Sequence, residues 1–317
     1  MFFTLDETVS IPSKIYFINQ FSMSISRQNL TIVIVTLKSE HIIDECIQSI
    51  DSDISIIIVE NSSNQNFKNY IEKKYKNVSC ILINENIGMG SGNNIGISKS
   101  KTDFVMILNP DVLLFEDTID KLINAANVLE NFTILAPISD NLDFPNYKIN
   151  SNNNDHSEVF EVDSVDGYSM LINRSRINSI SNIIKDGKFF DENIFMYLEN
   201  DDLCKRIIYN GGNIFIVPRA KINHLGSKAV DKKYENEVEF SRNWHWIWSK
   251  FYFNKKHFGF LKAFVEGFPK FFLSIIKYLF FLLINNKKKK KIYFNRVSGF
   301  YNALIGNSSW YRPNLDD

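Results

Sequence analysis

The chain has 317 residues, 44% hydrophobic and 23% charged, with 36 Lys+Arg set against 36 Asp+Glu. That length suits one large domain or one domain with an appendage, the composition is that of a folded globular protein, and a formal net charge of zero gives no support for nucleic-acid binding. Three scattered cysteines, Cys46, Cys80 and Cys204, make no metal-finger or redox spacing and fit buried free thiols in a reducing compartment.

Residues 1–29 show no clear periodicity and read as an N-terminal extension. Met1 to Ser10 lacks a basic stretch followed by an apolar run, so no signal peptide is expected and a cytoplasmic protein is. A regular alternation follows. Thr31–Thr36 is a β-branched apolar run, the pattern of a buried strand. Residues 41–50 carry Ile42, Ile43, Cys46, Ile47 and Ile50 at helical spacing. Strands are expected at 54–59, 78–83 and 104–108, with helices at 65–75, 89–99 and 116–130. The Asn-, Ser- and Asp-rich stretch 140–157 reads as a loop, and 159–173 as a strand pair. Residues 197–209 read as a helix with carboxylates in its first turn, where the helix dipole favours them. Gly211-Gly212 ends it, and strands at 214–217 and 221–224 follow.

Strand–helix alternation of this kind predicts an α/β fold, a mostly parallel sheet with helices on both faces. Ligands of such sheets bind beyond the C-terminal strand ends. There lie Thr36-Leu-Lys38, Glu60-Asn61-Ser62, Asn84-Glu-Asn86 and Asn109-Pro110-Asp111. One polar loop would be ordinary solvent exposure, whereas four at successive strand ends point to a ligand site.

Asp111 follows an apolar strand across Pro110, which removes a backbone donor and stiffens the turn. Turn chemistry alone favours Asp there, but a carboxylate so placed can also bind a hard divalent cation that bridges ligand phosphates. Gly88, Gly90, Gly92 and Gly96 lie within nine positions at a helix start, where backbone can approach an anionic ligand. The stretch lacks the Gly-Lys-Ser/Thr of a P-loop, and it follows a third strand, unlike a dinucleotide fingerprint. Glu199, Asp201 and Asp202 at a helix start suit a general base as well as dipole capping. His224 stands alone in Asn223-His-Leu-Gly226.

In this order, Ile-Val-Ile-Val-Thr36, Val-Glu-Asn-Ser62, Asn86-Ile-Gly-Met-Gly-Ser-Gly-Asn-Asn-Ile-Gly96, Leu-Asn-Pro-Asp-Val112, Val165-Asp-Gly-Tyr-Ser-Met-Leu-Ile172, Phe189 to Cys204, and Asn223-His224 resemble glycosyltransferase family 2 with its GT-A fold, and within it the rhamnosyltransferase-like branch. The resemblance spans about residues 31–228. It implies a sugar, rhamnose by the branch, moved with inversion from a nucleotide-diphosphate donor to a glycan or lipid-linked acceptor in cell-surface polysaccharide synthesis. Thr36, Glu60 and Asn93 would line the nucleoside pocket, and the donor-binding set would extend to Asn61, Asn86, Gly92 and Asn109. Asp111 would bind a divalent cation (Mg²⁺ or Mn²⁺) on the donor diphosphate, with Asn109 in the other slot of the family's Asp-x-Asp motif. His224 would be a further metal or diphosphate contact. Glu199, with Asp202 second, would take the acceptor's proton, Asp201 being a solvated helix residue. Four positions depart from the family pattern: Glu60 replaces Asp, Leu37-Lys38 replaces Tyr/Phe-Asn, and Asn200 replaces Asp. Glu60, Asn109 and Asn200, at slots usually aspartate, also suit an inactive membrane-bound subunit of a glycan assembly complex. A nucleotidyltransferase shares the sheet and the metal chemistry, but Lys38 is the lone basic residue in the first loop.

Residues 231–317 form a helical C-terminal region after the catalytic domain at 30–230. Within it, 258–284 are mostly apolar and long enough to span a bilayer, but Lys262, Glu266, Lys270 and Lys277 interrupt them. At about 100° per residue these four fall within roughly 80° of one another, one charged stripe on an apolar helix. Such a helix lies in a membrane interface, with a kink expected at Pro269. Lys287 to Lys291 follow and suit an anionic leaflet, which predicts a peripheral protein on the cytoplasmic face. A helical hairpin packed on the catalytic domain, with the lysines as a solvated loop, fits the same residues. Trp244, Trp246 and Trp248 suit either core or interface.

Overall fold

A computed structural model describes residues 24–129, 131–140, 145–149, 158–226 and 228–315. The chain runs β1 (Leu30–Thr36), α1 (Ile43–Gln48), β2 (Ser55–Glu60), α2 (Gln65–Lys74), β3 (Val78–Leu82), α3 (Met89–Lys99), β4 (Phe104–Leu108), β5 (Val112–Leu114) and α4 (Thr118–Leu129). It continues with β6 (Ile134–Ser139), β7 (Tyr147–Lys148), β8 (Phe160–Glu161), β9 (Ser164–Val165), β10 (Ser169–Asn173), α5 (Arg174–Ser179), α6 (Glu199–Tyr209) and β11 (Ile214–His224). Three long helices close it: α7 (Glu235–Phe258), α8 (Phe260–Leu283) and α9 (Lys287–Leu304).

The main sheet has the order β3-β2-β1-β4-β10-β6-β11-β5, with β8 on β11. Strands β3, β2, β1 and β4 are parallel. Strand β10 then enters antiparallel between β4 and β6, and β5 pairs antiparallel with the end of β11. Ile32 and Ile34 of β1 pack into one core with α1, α2 and α4, while Val33 and Val35 pack into the other with α3 and α6. Strand side chains alternate faces, so a strand buried on both must be apolar throughout, which is why β1 and β4 read as unbroken runs.

The predicted strands and helices of the first half appear within one or two residues of their expected ends. The 214–217 and 221–224 segments are one strand, β11, with an irregularity between Val217 and Lys221. Of the stretch expected as a loop, 140 and 145–149 are described, and these include β7, which pairs with β9. Residues 1–23 of the expected extension lie outside the described residues. Residues 24–29 belong to the sheet domain: Ile25 is buried, and Arg27 contacts Asp51, Asp53 and Asp120.

The C-terminal helices pack against one another around a third core of Trp244, Trp248, Phe251, Ala263, Phe300 and Ala303. The expected 258–284 helix is divided from α7 at Gly259, whose φ of +89° only glycine adopts without strain. Helix α8 runs on through Pro269 as one element. Lys287–Lys291 form no loop: they open α9, capped by the Asn286 side chain on the Lys289 amide. Among the described residues no helix is long and apolar enough to cross a membrane.

Candidate active site

The C-terminal ends of β1, β2 and β4 open on a cavity of about 830 Å³. Thr36, Asn61, Asn86, Gly88, Met89, Asn109 and Asp111 line one side. The Asn61 amide donates to the Thr36 carbonyl at 2.9 Å, tying two strand ends together. The Asn61 side-chain nitrogen donates to the Gly88 carbonyl at 3.2 Å, which fixes the Gly-rich turn beside them. At Gly88 (φ +88°) an added Cβ would strike the carbonyl of Phe195, so the turn lies flat on the segment that leads to α6. Thr36 Oγ1 and Asn61 Oδ1 are buried with no hydrogen-bond partner. Buried polar atoms are nearly always paired in folded proteins, so such atoms facing a cavity are suited to a polar ligand.

Asp111 is 2% exposed. Strand β5 begins at the next residue and pairs Val112 opposite His224, and the Leu225 amide donates to the Asp111 carbonyl at 2.9 Å. This pairing brings the His224 Nε2 to 3.6 Å from Asp111 Oδ1, too long for a hydrogen bond. The Lys228 amide donates to Oδ2 at 3.2 Å, while Oδ1 has no hydrogen-bond partner. Burial alone would raise the Asp111 carboxyl, but His224 and the Lys228 amide outweigh it and hold it below its usual range. His224 is stacked on Tyr168, ring centres 4.1 Å apart. Among the described residues no group of three His, Cys, Asp or Glu side chains could hold a metal on its own. Asp111 with His224 fits a cation that takes its remaining ligands from water and a bound phosphate, as Mg²⁺ commonly does.

Glu199 opens α6 and lines the same cavity, beside Gly90 of the Gly-rich turn. The residues before it, Tyr197 (φ 68°) and Leu198 (φ 69°), are both left-handed. Neither is glycine, so each costs on the order of 1 kcal/mol, and strain of this kind gathers at functional sites. The turn delivers Glu199 into the cavity wall with Oε2 buried and unpartnered. Burial pushes its carboxyl up to about 7, with the charge of Asp201 adding to it.

Four of the expected site residues stand elsewhere. Asp202 is fully buried and turned away from the cavity. It pairs with Arg206 at 2.9 Å, Lys256 at 2.7 Å and His257 at 2.8 Å, which hold its carboxyl down at about 2 although burial works to raise it. A carboxylate so stabilised is a poor base, so Asp202 is a link between α6 and α7, not the second base. Glu60 does not line the cavity: its oxygens accept from the Ser62 amide at 2.9 Å, the Ser62 hydroxyl and the Asn64 amide at 2.8 Å. Gly92 faces Val35, where a Cβ would come within 2.8 Å, so it sets the approach of α3 to β1. Asn93 is buried outside the cavity wall, with Oδ1 unpartnered. Asp201, expected in solvent, bonds Lys148 at 2.5 Å and Ser164 at 2.7 Å.

The cavity also takes residues to which the motifs had given no role. Asp166 lines it, and burial holds its carboxyl above the ordinary range against the pull of Lys148. Val238, Ser241, Arg242 and Trp246 of α7 complete the wall beside Glu199. Three tryptophans at alternate positions carried a usable signal. On a helix, Trp244 and Trp248 share a face that Trp246 cannot. Both are buried, while Trp246 is 47% exposed.

The model of the family described as Glycosyl transferase family 2 matches residues 31–198, more than half of the chain. The low-salt glycan biosynthesis hexosyltransferase Agl10 of Haloferax volcanii is 25% identical over 235 residues, covering 68% of this chain and 69% of that protein. The crystal structure of GalNAc-T7 with UDP, GalNAc and Mn²⁺ matches with a TM-score of 0.52 at 13% identity, over 62% of this chain. The match spans 43% of that structure's chain, less than half its length.

Proposed function

We propose that this chain, which belongs to glycosyl transferase family 2, moves a hexose from a nucleotide-diphosphate donor onto a glycan or lipid-linked acceptor, with Glu199 as the base. The observation that carries this reading is a pair of buried, unsatisfied carboxylate oxygens, Asp111 Oδ1 and Glu199 Oε2, on residues that line one cavity. Their environments separate them: Asp111 is held ionised, and Glu199 is raised to about 7, where a base gives and takes a proton readily. Thr36, Asn61, Asn86 and Asn109 supply the donor wall. Asp111 and His224 would hold Mg²⁺ or Mn²⁺, whose charge would stabilise the leaving diphosphate. A hexosyltransferase relative and a neighbour crystallised with UDP and Mn²⁺ support this choice of donor and cation. Rhamnose is the first sugar to test on the motif resemblance, from UDP- or dTDP-linked donors.

We also propose that α8 lies on the inner leaflet, with the protein peripheral on the cytoplasmic face. Leu261, Val265, Phe268, Phe272, Ile276, Leu279 and Leu283 recur every three or four residues, one continuous stripe, and all seven are exposed. Exposed apolar surface of that extent marks an interaction face. Lys287–Lys291 stand at its end, each able to add about 1 kcal/mol on an anionic surface.

The test is donor hydrolysis with Mn²⁺, alongside melting shifts with nucleoside diphosphates. A shift and turnover in the wild type, both lost on removing the cation, are expected. A protein that binds glycans yet turns over no nucleotide sugar would instead be a binding subunit.

A further inference from the structure

The two walls of the cavity differ in origin. The donor wall and Glu199 come from the strand ends, the Gly-rich turn and the start of α6. A further stretch of wall comes from α7, which lies beyond residues 31–198 that match the family. Val238, Ser241, Arg242 and Trp246 are spaced three, one and four apart, which places them on one face of a helix, and all four line the cavity. Trp246 is 47% exposed between two core tryptophans, and Tyr197 holds it edge-on, ring centres 5.3 Å apart at 86°. An indole open inside a concave wall offers a flat apolar face, the complement of the C–H face of a pyranose. Ser241 is fully buried with its hydroxyl unpartnered. Arg242 stands one helical turn from Trp246 and brings a planar cationic fork, suited to a phosphate or carboxylate. Tyr197, which braces Trp246, precedes Glu199 by two residues, so the platform and the base share one segment.

Resting on the sugar-transfer reading above, we propose that this face of α7 is the acceptor subsite. It takes a sugar ring stacked on Trp246, with an anionic substituent of the acceptor, phosphate or carboxylate, held by Arg242. Acceptor choice then resides in the C-terminal helices, while donor choice resides in the sheet.

The experiment is calorimetric titration of the intact protein with three octyl glycosides that share one chain: a neutral hexoside, a hexosyl phosphate ester and a hexuronide. Each is run with the donor wall filled by Mn²⁺ and whichever nucleoside diphosphate raises the wild-type melting point. At least one anionic probe should bind about tenfold tighter than the neutral one. Preference for the phosphate identifies a phosphate-bearing acceptor, and preference for the uronide an acidic sugar. Trp246→Ala should weaken all three by about tenfold, with Trp246→Phe recovering most of the loss. Arg242→Gln should abolish the anionic preference alone. Equal binding of every probe to wild type and Trp246→Ala, or no binding to the wild type, overturns the proposal. Loss of nucleoside diphosphate binding in either variant also overturns it, because the face would then belong to the donor. If no nucleoside diphosphate shifts the wild type, the sugar-transfer reading fails first, and independently.

Discussion

The sheet domain and the C-terminal helices are incomplete in opposite ways. The sheet domain buries its aliphatic residues on both faces, yet leaves Thr36 Oγ1, Asn61 Oδ1, Asp111 Oδ1 and Glu199 Oε2 without hydrogen-bond partners. The helical region leaves apolar surface open instead, along one whole side of α8. A polar interior short of partners suits a polar ligand, and an apolar surface short of partners suits an apolar phase. The two are joined at a buried seam, where Asp202 of α6 meets Lys256 and His257 of α7, and Ser249 donates to the Met196 carbonyl at 2.7 Å. Substitutions at five places would break or sharpen this contrast.

The largest effect is expected at Asp111. Asp111→Ala removes the lone carboxylate of its turn facing the cavity and should lower Mn²⁺-dependent donor turnover by about a thousandfold or more, a loss of about 4 kcal/mol. Melting temperature without ligand should fall only a little, since Oδ1 has no partner and the hydrogen bond lost is the long one from the Lys228 amide to Oδ2. Turnover within tenfold of wild type would remove Asp111 from the cation site. Next is Glu199→Gln, which should lower transfer by about 10²–10⁴. The base must be deprotonated, so kcat/KM should rise with pH through about 7 in the wild type, and that acidic limb should vanish in the variant. A pH profile unchanged by the substitution would pass the role to another carboxyl, with Asp166 the next to test.

Asp202→Asn probes the seam. Breaking a buried ion pair from one side costs about 3–5 kcal/mol, and this side chain is fully buried against Arg206, Lys256 and His257. The variant should therefore melt lower while keeping nucleoside diphosphate affinity. Its folded carboxyl is depressed to about 2 from an ordinary 3.8. The stability it contributes is full above pH 4 and is lost as pH falls from about 4 to 2. Acid unfolding in that window should be shallower in the Asn variant.

These sites were unequally legible. Strands β1 and β4 read as unbroken apolar runs, and β4 and α3 appear with the predicted bounds. Asp111 and Glu199 were legible as cavity residues because one lies in the turn just past β4 and the other opens α6. Asp202 could not, because the partners that fix its role, Lys256 and His257, lie more than fifty residues away and meet it only once α7 packs. Gly92 and Asn93 share a motif with cavity-lining Gly88, but a helix turns each residue by about 100°, so neighbours in the motif face the sheet. Gly92 and Gly96, four apart and both against β1 valines, are the sign that this face packs.

On α8, Phe272→Glu and Leu279→Glu each withdraw a half-exposed apolar side chain from the proposed bilayer contact. Full burial of such a side chain contributes about 1.5–3 kcal/mol, so each should weaken sedimentation with vesicles by tenfold or more. Changes at exposed positions usually stay within about 0.5 kcal/mol of folding stability. If vesicle binding holds and a dimer dissociates instead, the stripe is an interface between copies of the chain.

The smallest effect is expected at Lys287–Lys291, and its two signs make it informative. Replacing all five with Gln should weaken binding to anionic vesicles, though by less than about 1 kcal/mol per residue. Lys288 already pairs with Glu239 at 2.7 Å, and Lys289 and Lys291 lie over the rings of Phe281 and Phe240. The same lysines open α9, where the helix dipole disfavours cations by about 0.3–1 kcal/mol each at low salt. Their removal should thus leave folding stability unchanged or slightly raised while membrane binding falls. Salt separates the two contacts further, because screening acts over about 8 Å at physiological ionic strength. Raising it should bring the wild type down to the level of the Gln variant on anionic vesicles, with the apolar stripe setting what remains. Equal wild-type binding to neutral and anionic vesicles would leave the lysines no part in docking.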